Sequence, residues 1–180
     1  IIYNQSQRID HIIENVQLLS RRETSNIASF SLNIQLENLV NEYLSLHNTS
    51  ADIKFTSQQN DIIVKCDREQ LDQVLSNLIE NGLRYSYQNT AAYSLEINLV
   101  IDDLTQLPCI EVIDNGKGID PKVANRLFEP FFTSEHSGSG LGLYIARELC
   151  EANQINLSYI KSPDNRTCFK LSFPHPQKEL

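Results

Sequence analysis

The sequence predicts an α+β protein: a two-layer α/β sandwich whose mixed, mostly antiparallel sheet carries helices on one face, preceded by a separate N-terminal helix. Three observations predict this class. Apolar residues recur at helical spacing between about 68 and 85. Short apolar strands follow one another in pairs joined by polar turns. A further amphipathic stretch opens the chain. Strands and helices in this order favour a sheet covered by helices.

The first 22 residues form the predicted N-terminal helix, because apolar side chains recur every three or four positions on a narrow stripe. Such a stripe favours pairing in a helical bundle. Residues 24–29 are small and polar, which predicts a linker. We therefore divide the chain into the helix and linker (1–27), the main domain (28–176) and a short tail (177–180).

Within the main domain, each element follows from its apolar period and from the turn residues that bound it. A strand is expected to begin around Phe30 and Leu32. The remaining expected elements, in order, are a helix over 34–46, strands over 53–56 and 62–65, a helix over 68–85, strands over 95–102 and 109–113, a short helix over 122–127, a helix over 141–152, and strands over 156–161 and 168–173.

Composition excludes several classes of function. The formal net charge is −8 and the sequence pI is about 4.9, which argues against a nucleic-acid partner because phosphate backbones are bound by clustered Lys and Arg. The four cysteines are far apart and form no CxxC pair, so neither a zinc site nor a redox motif is predicted. We expect reduced thiols and a cytoplasmic location.

Three polar side chains share one stripe of the helix expected over 68–85. Asn77, Asn81 and Arg84 stand at positions i, i+4 and i+7, so their head groups point the same way. Amide oxygens can complete the coordination shell of Mg²⁺, and a guanidinium can bind phosphate through two N–H groups. The alternative is a solvated helix edge, which is common for these residue types.

A short polar run, Asp114-Asn115-Gly116-Lys117-Gly118, follows an apolar strand directly. A partly buried carboxylate at a strand end can accept a hydrogen bond from the exocyclic amine of adenine. The two glycines would let the backbone approach the ring. The alternative is an ordinary Asp-Asn-Gly turn.

A second glycine-rich run, Gly138-Ser139-Gly140-Leu141-Gly142, leads into a helix, where free backbone N–H groups can bind phosphate. It has neither the ending of a Walker A loop nor the spacing of a dinucleotide-binding fingerprint. The aromatic cluster at 127–133 is either a hydrophobic plug or the anchor of a lid over residues 120–139.

Taken in this order, the motifs resemble those of the ATP-binding domain of histidine kinases, which shares its Bergerat-type fold with gyrase, Hsp90 and the MutL proteins. NLIENGLRYS resembles the N box, DNGKGID the first glycine box, LFEPFFTS the F box and GSGLGLYIAREL the second glycine box. The resemblance covers about residues 30–174. Within the family, the chain looks most similar to sensor kinases that control type IV pilin transcription.

The resemblance implies ATP and Mg²⁺ as ligands and assigns roles to individual residues. Asn81, with Asn77, would hold Mg²⁺, and Arg84 would contact phosphate. Asp114 would bind adenine. The remaining implied nucleotide contacts are Tyr85, Gly116, Gly118, Ile119, Gly138, Gly140, Leu141, Gly142 and Thr167.

The resemblance also implies partners and a cellular setting. Residues 1–22 would be the end of the dimerisation and phosphotransfer hairpin of a homodimeric inner-membrane sensor that acts through a response regulator. None of the four histidines, His11, His47, His136 and His175, has the sequence context of the phospho-accepting residue. The chain alone is therefore not expected to autophosphorylate.

Two departures from the family pattern affect these roles. Gly82 and Arg84 stand where many histidine kinases have Ala and Lys. The stretch 133–137 contains no Lys or Arg, so we expect no contact from a Lys or Arg of this stretch to the γ-phosphate.

Hydrolytic relatives carry a general-base Glu four residues before the metal-binding Asn, and Asn77 stands at that position here. Because an amide is not a useful base, phosphotransfer is favoured over hydrolysis. The alternatives are a hydrolytic ATPase of the same fold and a nucleotide-free dimerisation or interaction module.

Overall fold

The computed structural model describes residues 25–47, 51–133 and 138–174. Seven strands and three α-helices make up the described part of the domain. They are β1 (Ile27–Ser31), α1 (Leu32–His47), β2 (Asp52–Ser57), β3 (Ile63–Asp67), α2 (Arg68–Thr90), β4 (Ser94–Ile101), β5 (Pro108–Asp114), α3 (Gly142–Ala152), β6 (Asn156–Lys161) and β7 (Thr167–Ser172).

The strands form two sheets rather than the single sheet expected from the sequence. Five of them lie in the order β2-β4-β5-β7-β6, with β2 and β4 parallel and every other pair antiparallel. The predicted mixed, mostly antiparallel sheet is therefore confirmed. β1 and β3 pair separately as a two-stranded antiparallel sheet. Period-two patterns predict strands but do not specify their partners, which is why the sequence did not distinguish the two sheets.

The helices cover one face of the five-stranded sheet. In β4, Leu95, Ile97 and Leu99 are almost fully buried, whereas Glu96 and Asn98 between them are half-buried on the other face. α2 packs on β4 and β5, α3 on β6, and α1 on β2. This arrangement places the strand-end residue Asp114, in register with Leu95, on the helix-covered face.

α2 runs through the centre of the domain and positions most of the site. Its N-terminus is capped by Asp67, whose side chain accepts a hydrogen bond of 3.0 Å from the Gln70 N–H. The apolar period that predicted it ends at Leu83, but the helix continues to Thr90. Ala91 ends it in a left-handed conformation, and its N–H donates to the Tyr87 carbonyl oxygen.

Other boundaries also differ from the expectation. β1 begins at Ile27, inside the predicted linker, because its backbone pairs with β3. Leu32 begins α1 instead of continuing a strand. The short helix expected over 122–127 is a single 3-10 turn, Ala124–Arg126. The predicted N-terminal helix over 1–22, the tail over 177–180 and residues 134–137 of the expected lid lie outside the described residues.

All four cysteines lie buried as free thiols, in agreement with the expectation of reduced residues. Burial raises the pKa of Cys66, Cys150 and Cys168 to about 12, so these thiols stay protonated. Among the described helices, none has the length and apolar character needed to cross a membrane.

Candidate nucleotide-binding site

A cavity of about 340 Å³ opens between α2 and the end of β5. It brings together residues that are far apart in the chain, from α2, from the loop after β5 and from β7. Of the residues predicted from the sequence to bind nucleotide or metal, those that line it are Asn81, Tyr85, Asp114, Gly116, Gly118, Ile119 and Thr167. The remaining predicted residues, Asn77, Arg84, Gly138, Gly140, Leu141 and Gly142, do not line it.

Asp114 is the buried acid of the cavity, with 4% of its surface exposed. Its carboxylate accepts a hydrogen bond of 2.8 Å from the Gly116 N–H and another from the Thr167 hydroxyl. Burial raises its pKa to about 6, and these two hydrogen bonds and the charge of Arg166 partly offset that rise. At neutral pH, the cleft therefore contains a buried carboxylate that can accept hydrogen bonds.

Gly116 is required by the close approach of its backbone to this acid. A Cβ at this position would lie 2.7 Å from an Asp114 carboxylate oxygen and 3.1 Å from Cβ of Tyr85. Any side chain would displace the carboxylate or the helix. The first glycine-rich run thus lets the backbone pass between Asp114 and α2.

The amides predicted to hold the metal lie beside the start of α3. Arg84 Nη2 donates a hydrogen bond of 2.8 Å to Asn81 Oδ1. Asn77 Nδ2 lies 3.4 Å from the Gly142 carbonyl oxygen, to which it donates a long hydrogen bond. Arg84 is exposed, and its guanidinium lies over the Tyr85 ring. α2 therefore places two amides and one cation next to the second glycine-rich run.

The donor set fits a magnesium ion bound jointly with phosphate. The described residues contain no group of three or more His, Cys, Asp or Glu side chains that could hold a metal ion alone. Asn81 Oδ1 already faces a cationic partner, the Arg84 guanidinium. Mg²⁺ typically keeps several waters and takes few protein ligands when substrate phosphates complete its shell. Amide oxygens at the edge of a nucleotide cleft suit that mode.

The second glycine-rich run packs tightly against the F-box segment. Gly140 has a φ of +68°, and a Cβ there would lie 2.5 Å from the Phe131 carbonyl carbon. Phe131 itself has a φ of +63° and an exposed side chain. This contact joins the F-box segment to the second glycine-rich run. Gly138 and Ser139 are half-buried, and Leu141 is buried.

The aromatic cluster is part of the cavity wall. Leu127 and Phe132 line the cavity. The Phe128 ring meets the Phe169 ring edge-on, with centroids 6.3 Å apart, and Phe169 also lines the cavity. Arg126 stacks over Phe132 at 4.7 Å. The hydrophobic-plug interpretation therefore holds for these side chains, and the lid interpretation remains a prediction.

Sequence reasoning missed several residues of the cavity wall. Gln88 and Asn89 were missed because the predicted helix ended near Tyr85, whereas α2 continues to Thr90. Their spacing from Asn81, i+7 and i+8, was the available signal. No nucleotide contact was predicted for the other lining residues, although the first two of these lie in the expected lid: Asp120, Val123, Lys117, Leu143 and Phe169.

Glu80, the carboxylate nearest in sequence to Asn81, does not line the cavity. It is exposed, and its charge contributes to the raised pKa of the Tyr43 phenol on α1. The charge of Glu80 therefore acts on the Tyr43 phenol, and the Glu80 side chain is not part of the cavity wall. The stripe of α2 that is predicted to bind the metal carries an amide, Asn77, at the position where the resemblance implies a base in hydrolytic relatives.

Comparison with known proteins identifies the domain. Residues 66–177 match the model of the histidine kinase-, DNA gyrase B-, and HSP90-like ATPase family. The chain is 42% identical over 178 residues to the sensor protein kinase PilS of Pseudomonas aeruginosa, covering 99% of the chain and 34% of that protein. It is 28% identical to sporulation kinase A of Bacillus subtilis, covering 97% of the chain and 28% of that protein. The chain thus spans about a third of the length of these relatives.

Solved structures agree on the fold. The histidine kinase ThkA, solved in complex with the response regulator TrrA, superposes with a TM-score of 0.77 at 23% identity, over 99% of this chain and 51% of that one. Full-length ShkA in complex with AMPPNP superposes with a TM-score of 0.74 at 20% identity, over 95% of this chain and 37% of that one. The chain belongs to the histidine kinase-, DNA gyrase B- and HSP90-like ATPase family, and it is similar to the catalytic, ATP-binding part of sensor histidine kinases.

Proposed function

We propose that the chain binds Mg-ATP in the described cavity and donates the γ-phosphoryl group to a histidine on a hairpin domain that lies mostly outside this chain. The single observation that carries the proposal is the buried Asp114 carboxylate at the cavity wall, held by the Gly116 N–H and the Thr167 hydroxyl. A fixed acceptor in an otherwise largely apolar cleft fits the exocyclic amine of adenine.

The phosphate end of the site would be formed by α2 and the second glycine-rich run. Asn81 and Asn77 would supply amide oxygens to Mg²⁺, which neutralises phosphate charge when bound. Arg84 would exchange its hydrogen bond with Asn81 for one with phosphate. Gly138, Gly140, Leu141 and Gly142 would offer backbone N–H groups near the start of α3.

Phosphoryl transfer is favoured over hydrolysis because the stripe of α2 that carries Asn77 and Asn81 offers no base that could activate a water molecule. Asn77 cannot accept a proton at neutral pH, and Glu80 does not line the cavity. The nucleophile would then be the neutral imidazole of the hairpin domain. Phosphoryl transfer needs mainly positioning and charge stabilisation from the protein, which this site can provide.

The regulatory setting is proposed from similarity. At 42% identity over nearly the whole chain, PilS supports a role in controlling pilin transcription. The complex of ThkA with TrrA supports a response-regulator partner. A homodimeric sensor in the inner membrane follows from the same resemblance.

The decisive experiment combines this chain with a separately produced hairpin that carries the acceptor histidine. We expect ATP-dependent labelling of the hairpin, no labelling of the chain alone and slow release of inorganic phosphate. Fast steady-state phosphate release without labelling would favour a hydrolytic ATPase. Failure of the folded chain to bind any adenine nucleotide would favour an interaction module.

A further inference from the structure

The turn that follows Asp114 is held from the side of the sheet opposite the cavity. Asp114 pairs with Thr167 in the register between β5 and β7, and both side chains are buried. The next residue, Asn115, lies half-buried, and its side chain contacts Ser94 and Arg166. Side chains of successive strand residues point to opposite faces. Asn115 therefore links the outer face of the sheet to the backbone of the turn.

Asn115 makes four hydrogen bonds to three different elements. Its backbone N–H donates to Ser86 Oγ and its carbonyl oxygen accepts from Asn89 Nδ2, both at 2.8 Å on α2. Its side chain donates to Ser94 Oγ at 2.8 Å and accepts from Arg166 Nη1 at 3.2 Å. The position of the 114–116 turn relative to α2 thus depends on Asn115.

Arg166 connects Asn115 to other residues on the outer face of the sheet. Its two terminal nitrogens bind both carboxylate oxygens of Glu96, at 2.9 and 3.0 Å, and its Nε donates to the Asp164 carboxylate. The guanidinium therefore joins β4, the turn before β7 and Asn115. A planar fork of this kind fixes direction as well as distance, which an ammonium group cannot do. Only 24% of the side chain is exposed.

We propose that Arg166 is a positioning residue for adenine recognition, acting through Asn115 from the face of the sheet opposite the nucleotide cleft. The proposal rests on the proposed function, because it requires that Asp114 accepts the hydrogen bond from adenine. Arg166 acts in two ways. It orients the 114–116 turn by holding Asn115, and its charge supports the buried Asp114 carboxylate, whose pKa it lowers.

The test measures the dissociation constant of ADP by calorimetry for the whole chain and its variants. Arg166→Met is expected to weaken ADP binding by about tenfold, the equivalent of one net hydrogen bond. It should also move the midpoint of the pH dependence of binding upward. Arg166→Lys keeps the charge, so its pH midpoint should stay close to that of the wild type while affinity still falls several-fold.

Lys170→Met is the matched control. Lys170 lies on β7, four residues after Arg166 and on the same outer face of the sheet. It forms an ion pair of 2.6 Å with Asp102 and is similarly covered, but it does not contact the 114–116 turn. The ADP affinity of the Lys170→Met variant should equal that of the wild type. Because Arg166 is proposed to act through Asn115, adding Arg166→Met to the Asn115→Ala variant should reduce ADP affinity less than adding it to the wild type.

An Arg166→Met variant that binds ADP within twofold of the wild type would overturn the proposal. If that variant does not fold, Arg166→Lys and Asn115→Ala decide the matter, and wild-type affinity in both would overturn it as well. Asp114→Asn is measured in parallel. If Asp114→Asn loses ADP affinity and the Arg166 variants do not, only the positioning role of Arg166 is removed. If Asp114→Asn binds ADP as the wild type does, the assignment of the adenine pocket itself is removed.

Discussion

The two ends of the cleft that we propose to bind adenine and phosphate, the adenine end and the phosphate end, are built in different ways. At the adenine end, Asp114 and Thr167 are almost fully buried and hydrogen-bonded within the fold. At the phosphate end, Asn77 and Asn81 are half-buried, and Arg84 is exposed. The adenine end is therefore part of the protein core. At the phosphate end, by contrast, the side chains can exchange their present hydrogen-bond partners for a ligand. Preorganisation favours selective binding at the adenine end. The exchangeable groups of the phosphate end suit binding that depends on the metal ion.

The largest effect is expected from a change at the phosphate end. Asn81→Ala removes the amide oxygen that lines the cavity, so phosphotransfer to the separate hairpin should fall by about 100-fold. The control is Asn98→Ala, which removes an amide of the same size from the outer face of β4. Calorimetry with and without Mg²⁺ should show that Asn81→Ala loses the metal-dependent part of the affinity. Equal metal dependence in both variants would contradict the assignment.

The next largest effect is expected at the adenine end. Asp114→Asn should weaken ADP binding by about 2 kcal/mol, or about 30-fold, because the buried acceptor becomes a weaker, neutral one. The loss should be the same with and without Mg²⁺, in contrast to Asn81→Ala. Equal ADP affinity of variant and wild type would remove Asp114 from adenine recognition.

The pH dependence of binding should separate the two ends further. The pKa of Asp114 is raised to about 6 mainly by burial, so lowering the pH from 7 to 5 protonates the acceptor. ADP affinity should fall by roughly tenfold over this range if only the carboxylate binds. Titrations of Asp114→Asn over the same range should be nearly flat. A wild-type profile without a midpoint near 6 would contradict the assignment.

A smaller effect concerns the stability of the protein without nucleotide. A carboxyl group with a folded-state pKa above its unfolded value destabilises the fold once it ionises. At pH 7, the charged Asp114 therefore costs up to about 3 kcal/mol, and this cost disappears as the pH falls from about 6 towards 4. In urea unfolding, Asp114→Asn should be more stable than the wild type at pH 7, and the difference should shrink towards pH 4. A difference independent of pH would contradict this account.

The smallest effect is expected at Glu80. Because Glu80 is exposed and does not line the cavity, Glu80→Gln should change phosphotransfer and phosphate release by less than about twofold. Rates measured beside those of the wild type provide the check. A large fall in phosphate release would identify Glu80 as a base for water and favour the hydrolytic interpretation.

The sequence by itself determined the fold class, most of the elements and seven residues of the cavity wall. Helical and strand periods depend on local spacing, and the strand-end Asp with its glycines follows a local pattern. Local sequence signals did not predict the structure where tertiary contacts determine it. The last turn of α2 has no apolar period, yet it forms and brings Gln88 and Asn89 to the cavity.

Only the tertiary structure decided how distant residues combine. The pairing of β1 with β3 as a separate sheet depends on register, which strand periodicity does not encode. The pKa of Asp114 depends on burial produced by α2, β5 and β7 together. The contact of Arg166 with Glu96 spans 70 positions, so no sequence pattern predicts it. The chemical groups of the site can be predicted from residue type and spacing. The burial and hydrogen-bond partners of those groups depend on which helices and strands pack together.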